Sequence, residues 1–181
     1  MAAVTNLAIW APNLPEALVE LPDHVARILG TPSAAVTDPV ALGESGGPAL
    51  IVLTGCSDAS VFRELDPVIA DRTAPTALVI GDGWIGTEGP DVASALIGAG
   101  AVALARSIAV RRRATGRVNV VCIPESLIGA AGSQHGPLLL QIGSADIADV
   151  VAFVLGDQSF YIDGQVLYAD GGRQLFSSLT A

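Results

Sequence analysis

The stretch that decides the fold is residues 144–172, which read SADIADVVAFVLGDQSFYIDGQVLYADGG. Its first part predicts a helix over 144–155, with Ser144 as the N-cap and Gly156 as the residue that ends it. The apolar run 160–167 predicts a strand, after which the chain reads Asp-Gly-Gly. This stretch therefore predicts a helix followed by a buried strand, which is the repeating unit of a parallel sheet.

The same alternation continues upstream, where residues 98–126 read GAGAVALARSIAVRRRATGRVNVVCIPES. A long helix is predicted to begin at Asp91 or Ser94 and to end at Arg113, because the arginines there complement the negative end of the helix dipole. Further strands are predicted over 6–10, 34–37, 49–54, 76–80 and 118–123, with shorter helices over 14–29 and 61–71. Strands that are mainly buried predict an α/β fold with a mainly parallel sheet between helices.

The two quoted stretches resemble the short-chain dehydrogenase/reductase family over roughly residues 92–176. The matching residues are Arg106, Ser107, Ile108, Ala109, Arg117, Val118, Asn119, Pro124, Ser159, Ile162, Gly164, Gln165, Asp170, Gly171 and Gly172. Glu125 departs from the pattern, because the family has Gly there. The resemblance implies a Rossmann-like three-layer sandwich in one domain over 1–181, reduced relative to a complete member. Residues 1–90 would be its divergent and shortened half, and residues 91–181 its family-like half.

The resemblance also implies a catalytic pair that this chain lacks. Family members move a hydride between a nicotinamide and a carbonyl or alcohol carbon; a Tyr supplies the proton, and a Lys four residues later lowers the pKa of that Tyr. These two positions fall on Ser94 and Gly98. All nine cationic residues are Arg, so no Lys can substitute, and Tyr161 and Tyr168 lie near the final strand. We therefore expect no catalytic residue in this chain.

The cofactor site that the resemblance implies is missing as well. The family binds the cofactor's diphosphate on a glycine-rich turn between the first strand and the first helix. Here residues 11–18 read APNLPEAL, with two Pro and no Gly. The run 53–60, LTGCSDAS, is an alternative nucleotide loop, but an ordinary turn capped by Ser57 or Asp58 explains it better. The GDG at 81–83 is likewise a turn after a strand. We expect this chain to bind no cofactor.

Other kinds of site find little support in the sequence. His24 and His135 are far apart, and neither has metal-ligand spacing with Cys or another His, so no metal site is expected. The net charge of −9 disfavours nucleic acid. No uninterrupted apolar run reaches the roughly 18 residues of a membrane span, so no membrane partner is expected. The N-terminal residues do not read as a secretory signal, and Cys56 and Cys122 are predicted to be buried thiols, so we expect a cytoplasmic protein.

Two regions of the chain match surfaces through which members of the resembled family form tetramers: the long central helix, and the final strand with the helix before it. Small residues on that helix would let a partner approach closely. The candidate interface residues are Ala95, Ala99, Ala103, Arg106, Tyr161, Gln165, Leu167, Leu175 and Phe176. We therefore expect a non-catalytic subunit of a hetero-oligomer, in tetramer form, whose homologous active subunit binds NAD(P). The resemblance suggests acyl-CoA or related hydroxy and keto substrates for that partner.

Two alternatives stay open at this point. The chain could be a self-associating module that binds a small molecule or regulates, using a cleft at the carboxyl ends of the strands. It could also be an enzyme of unrelated chemistry that uses Ser94, Asp91 or Glu125. The three hypotheses differ in whether the chain needs a partner and in whether it turns over a substrate.

Overall fold

The computed structural model of the protein describes residues 6–85, 91–112, 116–128 and 142–174. The strands are β1 (Leu7–Trp10), β2 (Ser33–Ala35), β3 (Ala49–Val52), β4 (Thr76–Gly81), β5 (Val118–Ile123) and β6 (Val166–Tyr168). The helices are α1 (Leu21–Leu29), α2 (Pro39–Glu44), α3 (Val61–Ala70), α4 (Val92–Arg111) and α5 (Ser144–Leu155). The six strands form one parallel sheet in the order β2-β1-β3-β4-β5-β6.

Two layers of helices cover the sheet, and successive residues of β4 show how. Leu78 and Ile80 pack into a core with α2, α3 and α4, whereas Ala77 and Val79 pack into a second core with α1 and α5. All four side chains are fully buried, and each large one stabilises the fold by about 1.5–3 kcal/mol. The predicted Rossmann-like three-layer sandwich with a parallel sheet is confirmed.

The family-like motif residues at the amino end of β5 hold β6 in position. Asn119 is fully buried; its Nδ2 donates to the carbonyl of Ile162 at 2.8 Å, and its Oδ1 accepts from the amide of Gln165 at 2.9 Å. Asp163 Oδ1 accepts from the amide of Val118 at 2.9 Å. The residues before β6 are therefore fixed as a turn against β5. The predicted final strand over 160–167 was wrong in its first part, because this turn uses those backbone groups.

Three further features of the helices differ from the prediction. The N-cap of α5 is Gly143, not Ser144; Asp146 Oδ2 accepts from the Gly143 amide at 2.8 Å. Helix α2 was not predicted; it begins after Asp38, whose side chain accepts from the Val40 amide at 2.8 Å. In the predicted helix over 14–29, Pro22 lies in the first turn of α1, where its missing N–H costs no hydrogen bond, so the helix begins near it.

Helix α4 is, within the described ranges, the one helix long and apolar enough to cross a membrane, judged by length and composition alone. One such helix is weak support for a membrane protein, since core helices pass the same test. Ile97, Leu104 and Ile108 on its buried side belong to the core that α4 shares with β4 and β5. The expectations of no membrane partner and of a cytoplasmic location remain predictions.

Candidate functional site

The two positions at which the resemblance places the catalytic pair lie in the first turns of α4. Asp91 caps the helix: its Oδ1 accepts from the Ser94 amide at 2.8 Å, and its Oδ2 accepts from the Ser94 hydroxyl at 3.3 Å. Gly98 is buried against the backbone of Trp84, and a β-carbon on it would lie 2.7 Å from the Trp84 carbonyl carbon and closer still to its oxygen. Real β-carbons essentially never come this close, so position 98 admits no side chain without a shift of backbone.

Trp84 fills the space between the end of β4 and α4. It closes a short 3-10 turn, Asp82–Trp84, and only 4% of its surface is exposed. Its indole lies over Gly81, where a β-carbon would be 2.7 Å from the indole nitrogen. That nitrogen has no hydrogen-bond partner among the described residues. The tryptophan therefore packs tightly between the end of β4 and α4, and Gly81 and Gly98 leave room for it.

Beside Trp84, a buried ion cluster joins the carboxyl ends of three strands. Asp82 is fully buried, and its Oδ1 accepts from the amides of Gly83 at 2.8 Å and Glu125 at 3.2 Å and from Arg173 Nη1 at 2.7 Å. Gln174 Nε2 donates to the Asp82 carbonyl at 2.5 Å. The residues that follow β4, β5 and β6 are thus tied together through one carboxylate.

Glu125 is the second acid of this cluster and is only 6% exposed. Its Oε2 lies 3.9 Å from Arg173 Nη1, and its Oε1 has no hydrogen-bond partner among the described residues. Burial raises the pKa of the Glu125 carboxyl; the Arg173 guanidinium lowers it and the Asp82 carboxylate raises it again, with a net upward shift. The carboxyl packs against Gly83, where a β-carbon would be 2.9 Å from its Cδ.

Sequence reasoning missed this cluster. It noted Glu125 as a departure from the family's Gly and as one candidate residue of an enzyme of unrelated chemistry, and it noted residues 81–83 only as a turn. The cluster joins residues 43 and 91 positions apart, so no local spacing reveals it. The available signal was the position of each acid directly after a buried strand, since the carboxyl ends of parallel strands share one edge of the sheet.

The sheet order reverses between β1 and β3, which is where a dinucleotide binds in a fold of this kind. Here the chain fills that crevice itself. A β-carbon on Gly55 would lie 2.8 Å from the Asn13 carbonyl oxygen and closer to that of Pro12, and Asn13 Nδ2 donates to the Gly55 carbonyl at 3.5 Å. The turn after β1 therefore contacts the turn after β3.

The N-terminus of the first α-helix is also a poor binding site for a diphosphate. Helix α1 begins at Leu21, with ten residues between it and the end of β1 at Trp10, and carries Pro22 and Asp23 in its first turn. A proline lacks the donor N–H and a carboxylate repels phosphate, so this helix start lacks what binds anions elsewhere. The residues present do not fit a diphosphate at this position. In the run 53–60, Asp58 accepts from the Ser60 amide and hydroxyl, each at 2.8 Å, as an ordinary turn before α3.

An open cleft remains beside β1 and β2, with a volume of about 510 Å³. Its walls are mainly apolar, and Ser33 Oγ donates to Asp23 Oδ1 at 3.2 Å at its edge. The lining residues are Ile9, Trp10, Ala11, Pro12, Leu14, Pro22, Asp23, Ser33, Ala35, Val36 and Thr37. The volume lies within the range of small-molecule sites.

Most of the candidate interface residues lie at the surface. On α4, Ala99, Ala103 and Arg106 are exposed and Ala95 is half-buried. Near β6, Tyr161 and Gln165 are exposed and Leu167 is half-buried, while Leu175 and Phe176 lie outside the described residues. Larger apolar side chains accompany them, with exposures from 55% to 90%: Val92, Leu96, Val110, Phe160 and Tyr161.

No group of three or more His, Cys, Asp or Glu residues that could hold a metal ion occurs in the described part of the chain. His24 lies 3.4 Å from Glu20 on α1, and His135 lies outside the described residues. Both cysteines are free: Cys122 is buried as predicted, but Cys56 is only half-buried. Burial raises the pKa of the Cys56 thiol to about 11, which favours the neutral thiol over the thiolate.

No protein-family model and no curated protein matches the chain, but solved structures do. Levodione reductase matches with a TM-score of 0.68 at 12% identity, over 95% of this chain and 98% of that enzyme. The 3-alpha-hydroxysteroid dehydrogenase from Pseudomonas sp. B-0831, complexed with NADH, matches with a TM-score of 0.65 at 14% identity, over 97% of this chain and 100% of that one. Plasmodium berghei enoyl-acyl-carrier-protein reductase matches with a TM-score of 0.58 at 14% identity, over 71% of this chain and 58% of that enzyme.

All three neighbours are short-chain dehydrogenases/reductases. Identities this low establish a common fold and leave activity, substrate and assembly to the residues of the site. The chain therefore has a Rossmann-like fold similar to that of the short-chain dehydrogenases and reductases.

Proposed function

We propose that this chain is a non-catalytic subunit that supports a homologous, active short-chain dehydrogenase in a hetero-oligomer. The observation that carries the proposal is the backbone of Trp84 against Gly98, because it fills the position from which a lysine would tune the catalytic tyrosine. Asp91 and Ser94 serve as the helix cap beside it. Several residues together, and not one substituted side chain, therefore distinguish this region from the catalytic site that the resemblance implies.

The two tyrosines of the chain do not supply the missing acid. Burial raises the pKa of the Tyr168 phenol; Cys122 and Asp170 raise it further and Arg106 lowers it, and the net shift is upward. A catalytic tyrosine needs a lowered pKa. Tyr161 is 90% exposed, so it lacks a desolvated site for a reacting carbonyl. Neither tyrosine therefore has the properties of the residue that donates the proton in the resembled family.

The filled crevice between β1 and β3 also supports a non-catalytic role, because a dinucleotide cofactor would need that space. Gly55, Pro12 and Asn13 are in contact where the diphosphate would lie. We propose that this chain binds no nicotinamide cofactor and that NAD(P) is bound by the partner. Acyl-CoA or a related hydroxy or keto compound is the substrate class that the resemblance suggests for the partner, and the cytoplasm is the location we propose for the complex.

Exposed apolar side chains support a subunit role. A stripe runs along α4, with Val92 at 77%, Leu96 at 55% and Val110 at 83% exposure, and Ala99 and Ala103 lie between them. A second patch is formed by Phe160 and Tyr161, whose rings meet edge to face at 5.4 Å. Exposed apolar patches with aromatic residues are typical of protein–protein interfaces. A tetramer that uses both surfaces is the assembly we propose.

The decisive experiment produces the chain alone and together with the homologous dehydrogenase of its source, and measures native mass and nicotinamide turnover. We expect a mixed complex whose activity resides in the partner. The double variant Ala99→Glu with Ala103→Glu should lower the affinity for the partner at least tenfold, since two charges would enter an apolar contact. Val40→Glu, at an exposed apolar position on α2 outside both proposed surfaces, is the matched control.

Two results would overturn the proposal. One is nicotinamide oxidation or reduction by the pure chain. The other is a stable homo-oligomer that ignores the dehydrogenase.

A second candidate function is a self-associating small-molecule or regulatory module, which the cleft of about 510 Å³ beside β1 and β2 favours. A flat apolar group would contact Trp10, Leu14 and Val36 there, with Asp23 as a polar contact at the edge. A set of aromatic heterocycles, screened by thermal shift without any partner, tests it. Stabilisation that is lost in Ala35→Trp, which fills the cleft, would favour this module over the subunit role.

A further inference from the structure

A groove lies between the last turns of α1 and α5, at the amino ends of the strands. Thr31 and Pro48, which line it, come shortly before β2 and β3. Its volume is about 510 Å³, which lies within the range of small-molecule sites. The groove shares no lining residue with the cleft beside β1 and β2, and it lies at the opposite edge of the sheet from Trp84.

One part of the groove is apolar although it faces solvent. Ile28 on α1 is 50% exposed, and Phe153 on α5 is 38% exposed. Leu29 is half-buried and joins the two helices, since its Cδ2 would lie 4.0 Å from a β-carbon on Gly156. An aromatic ring and branched aliphatic side chains in a concave site offer contact area to the apolar body of a ligand.

The rest of the groove carries negative charge. Asp149 and Asp157 line it, and both are exposed. Neither carboxylate has a hydrogen-bond or ion-pair partner among the described residues. Helices α1 and α5 both end at the groove, and the C-terminal end of a helix adds a partial negative charge that favours cations.

The nearby arginines leave this charge largely unpaired. Arg117 Nη2 donates to the Gly156 carbonyl at 2.8 Å and lies 3.3 Å from Ser159 Oγ, so its guanidinium is engaged at the end of α5. Arg27 lies in the last turn of α1, but it is exposed and does not line the groove. Helix α5 has no basic residue in its last turn. The groove therefore combines acidic groups and apolar surface without a cation of its own.

We propose that this groove binds a small organic cation, namely a primary amine on an aromatic or aliphatic body. The ammonium group pairs with the carboxylates of Asp149 and Asp157, and the body packs on Ile28 and Phe153. The Phe153 ring adds a cation–π contact where the cation comes within about 6 Å of its centre. Binding uses this chain alone and does not depend on whether a partner subunit exists.

The test titrates the ¹⁵N-labelled chain with 2-phenylethylamine and follows the amide chemical shifts by NMR. 2-Phenylethanol has the same body without the charge, and 3-phenylpropanoate carries the opposite charge. We expect a dissociation constant of about 1 mM or lower for the amine, at least about tenfold weaker binding of the alcohol, and no saturable binding of the carboxylate. The shifts should concentrate at residues 28–31 and 149–158, which enclose the groove.

Variants separate the contribution of charge from that of the apolar surface. Asp149→Asn with Asp157→Asn keeps the shape and should weaken amine binding at least about tenfold. Glu44→Gln with Glu64→Gln removes the same charge from exposed positions on α2 and α3, and this matched control should bind like the wild type. Phe153→Leu keeps an apolar side chain without the ring and should weaken amine binding about two- to fivefold.

An alcohol that binds as tightly as the amine would overturn the proposal, and so would unchanged binding in the double aspartate variant. Shifts that concentrate in the cleft beside β1 and β2 would place the amine elsewhere and overturn it too. No detectable binding of the amine at about 10 mM would have the same consequence. If the double aspartate variant does not fold, the comparison of amine with alcohol on the wild type still decides.

Discussion

The two ends of β5 differ in what their buried side chains do. At the amino end, Asn119 uses both its donor and its acceptor to hold the turn before β6, and Arg117 Nη2 donates to the carbonyl of Gly156 at 2.8 Å. At the carboxyl end, Glu125 after β5 and Trp84 after the neighbouring strand β4 fill space and leave polar atoms without partners among the described residues. In this fold the carboxyl end carries the chemistry and the amino end carries architecture. The motif residues at the amino end of β5 therefore report the fold of this chain.

The largest expected effect comes from rebuilding the catalytic pair at the carboxyl end. The double variant Ser94→Tyr with Gly98→Lys restores both residue types, but the side chain at position 98 would collide with the Trp84 backbone. We expect the free energy of unfolding to fall by about 3 kcal/mol or more, with no nicotinamide turnover gained. Urea unfolding and an NADH assay measure the two effects.

The control for this double variant is Ser107→Lys, which places the same side chain at an exposed position of α4 and should stay within about 0.5 kcal/mol of the wild type. A double variant as stable as the wild type would show that Trp84 can move aside. The two ends of β5 would then differ less than their contacts indicate.

The next effect belongs to the amino end. Asn119→Ala removes two hydrogen bonds and leaves the Ile162 carbonyl and the Gln165 amide without partners. We expect a loss of about 2–4 kcal/mol in the free energy of unfolding, because each unpaired group costs about 1–3 kcal/mol where water does not replace the bond. Gln165→Ala, which removes an exposed side chain that donates to the Asp163 carbonyl, is the control and should cost under about 0.5 kcal/mol. Equal losses in the two variants would contradict an architectural role for Asn119.

Sequence patterns predicted the layers of the fold well, because buried parallel strands read as apolar runs. Strand β5 lies where the run 118–123 predicted it. Helix α2 was missed because six residues are too few for a periodic pattern, and the final strand was predicted too long because the turn before it begins with the apolar residues at 160–162. Such turns are fixed by partners distant in sequence.

The candidate site divides in the same way. The residue types at Ser94 and Gly98, where the resemblance implies the catalytic pair, could be read from the sequence, since both lie on one helix at a fixed spacing. The packing around these positions could not be, because Trp84, Glu125 and Arg173 come from three separate segments that only the sheet brings together. Side chains that pack together from distant segments can be identified only once the fold is known.

The smallest effect separates a helix cap from a reactive group in the first turn of α4. Asp91→Ala should lower the free energy of unfolding by about 1 kcal/mol, since the Ser94 amide loses its acceptor, and Ser94→Ala should change it by under about 0.5 kcal/mol, because the hydroxyl makes only the 3.3 Å bond to Asp91. If the pair acts only as a cap, the two variants differ in stability and neither alters any turnover. If the wild type instead shows hydrolytic or hydride-transfer activity that Ser94→Ala abolishes while leaving stability unchanged, the carboxyl end carries chemistry of its own. The two ends of β5 would then serve two different functions. Because the Ser94 hydroxyl adds almost nothing to stability, a loss of activity on its removal would mean that it acts on a substrate.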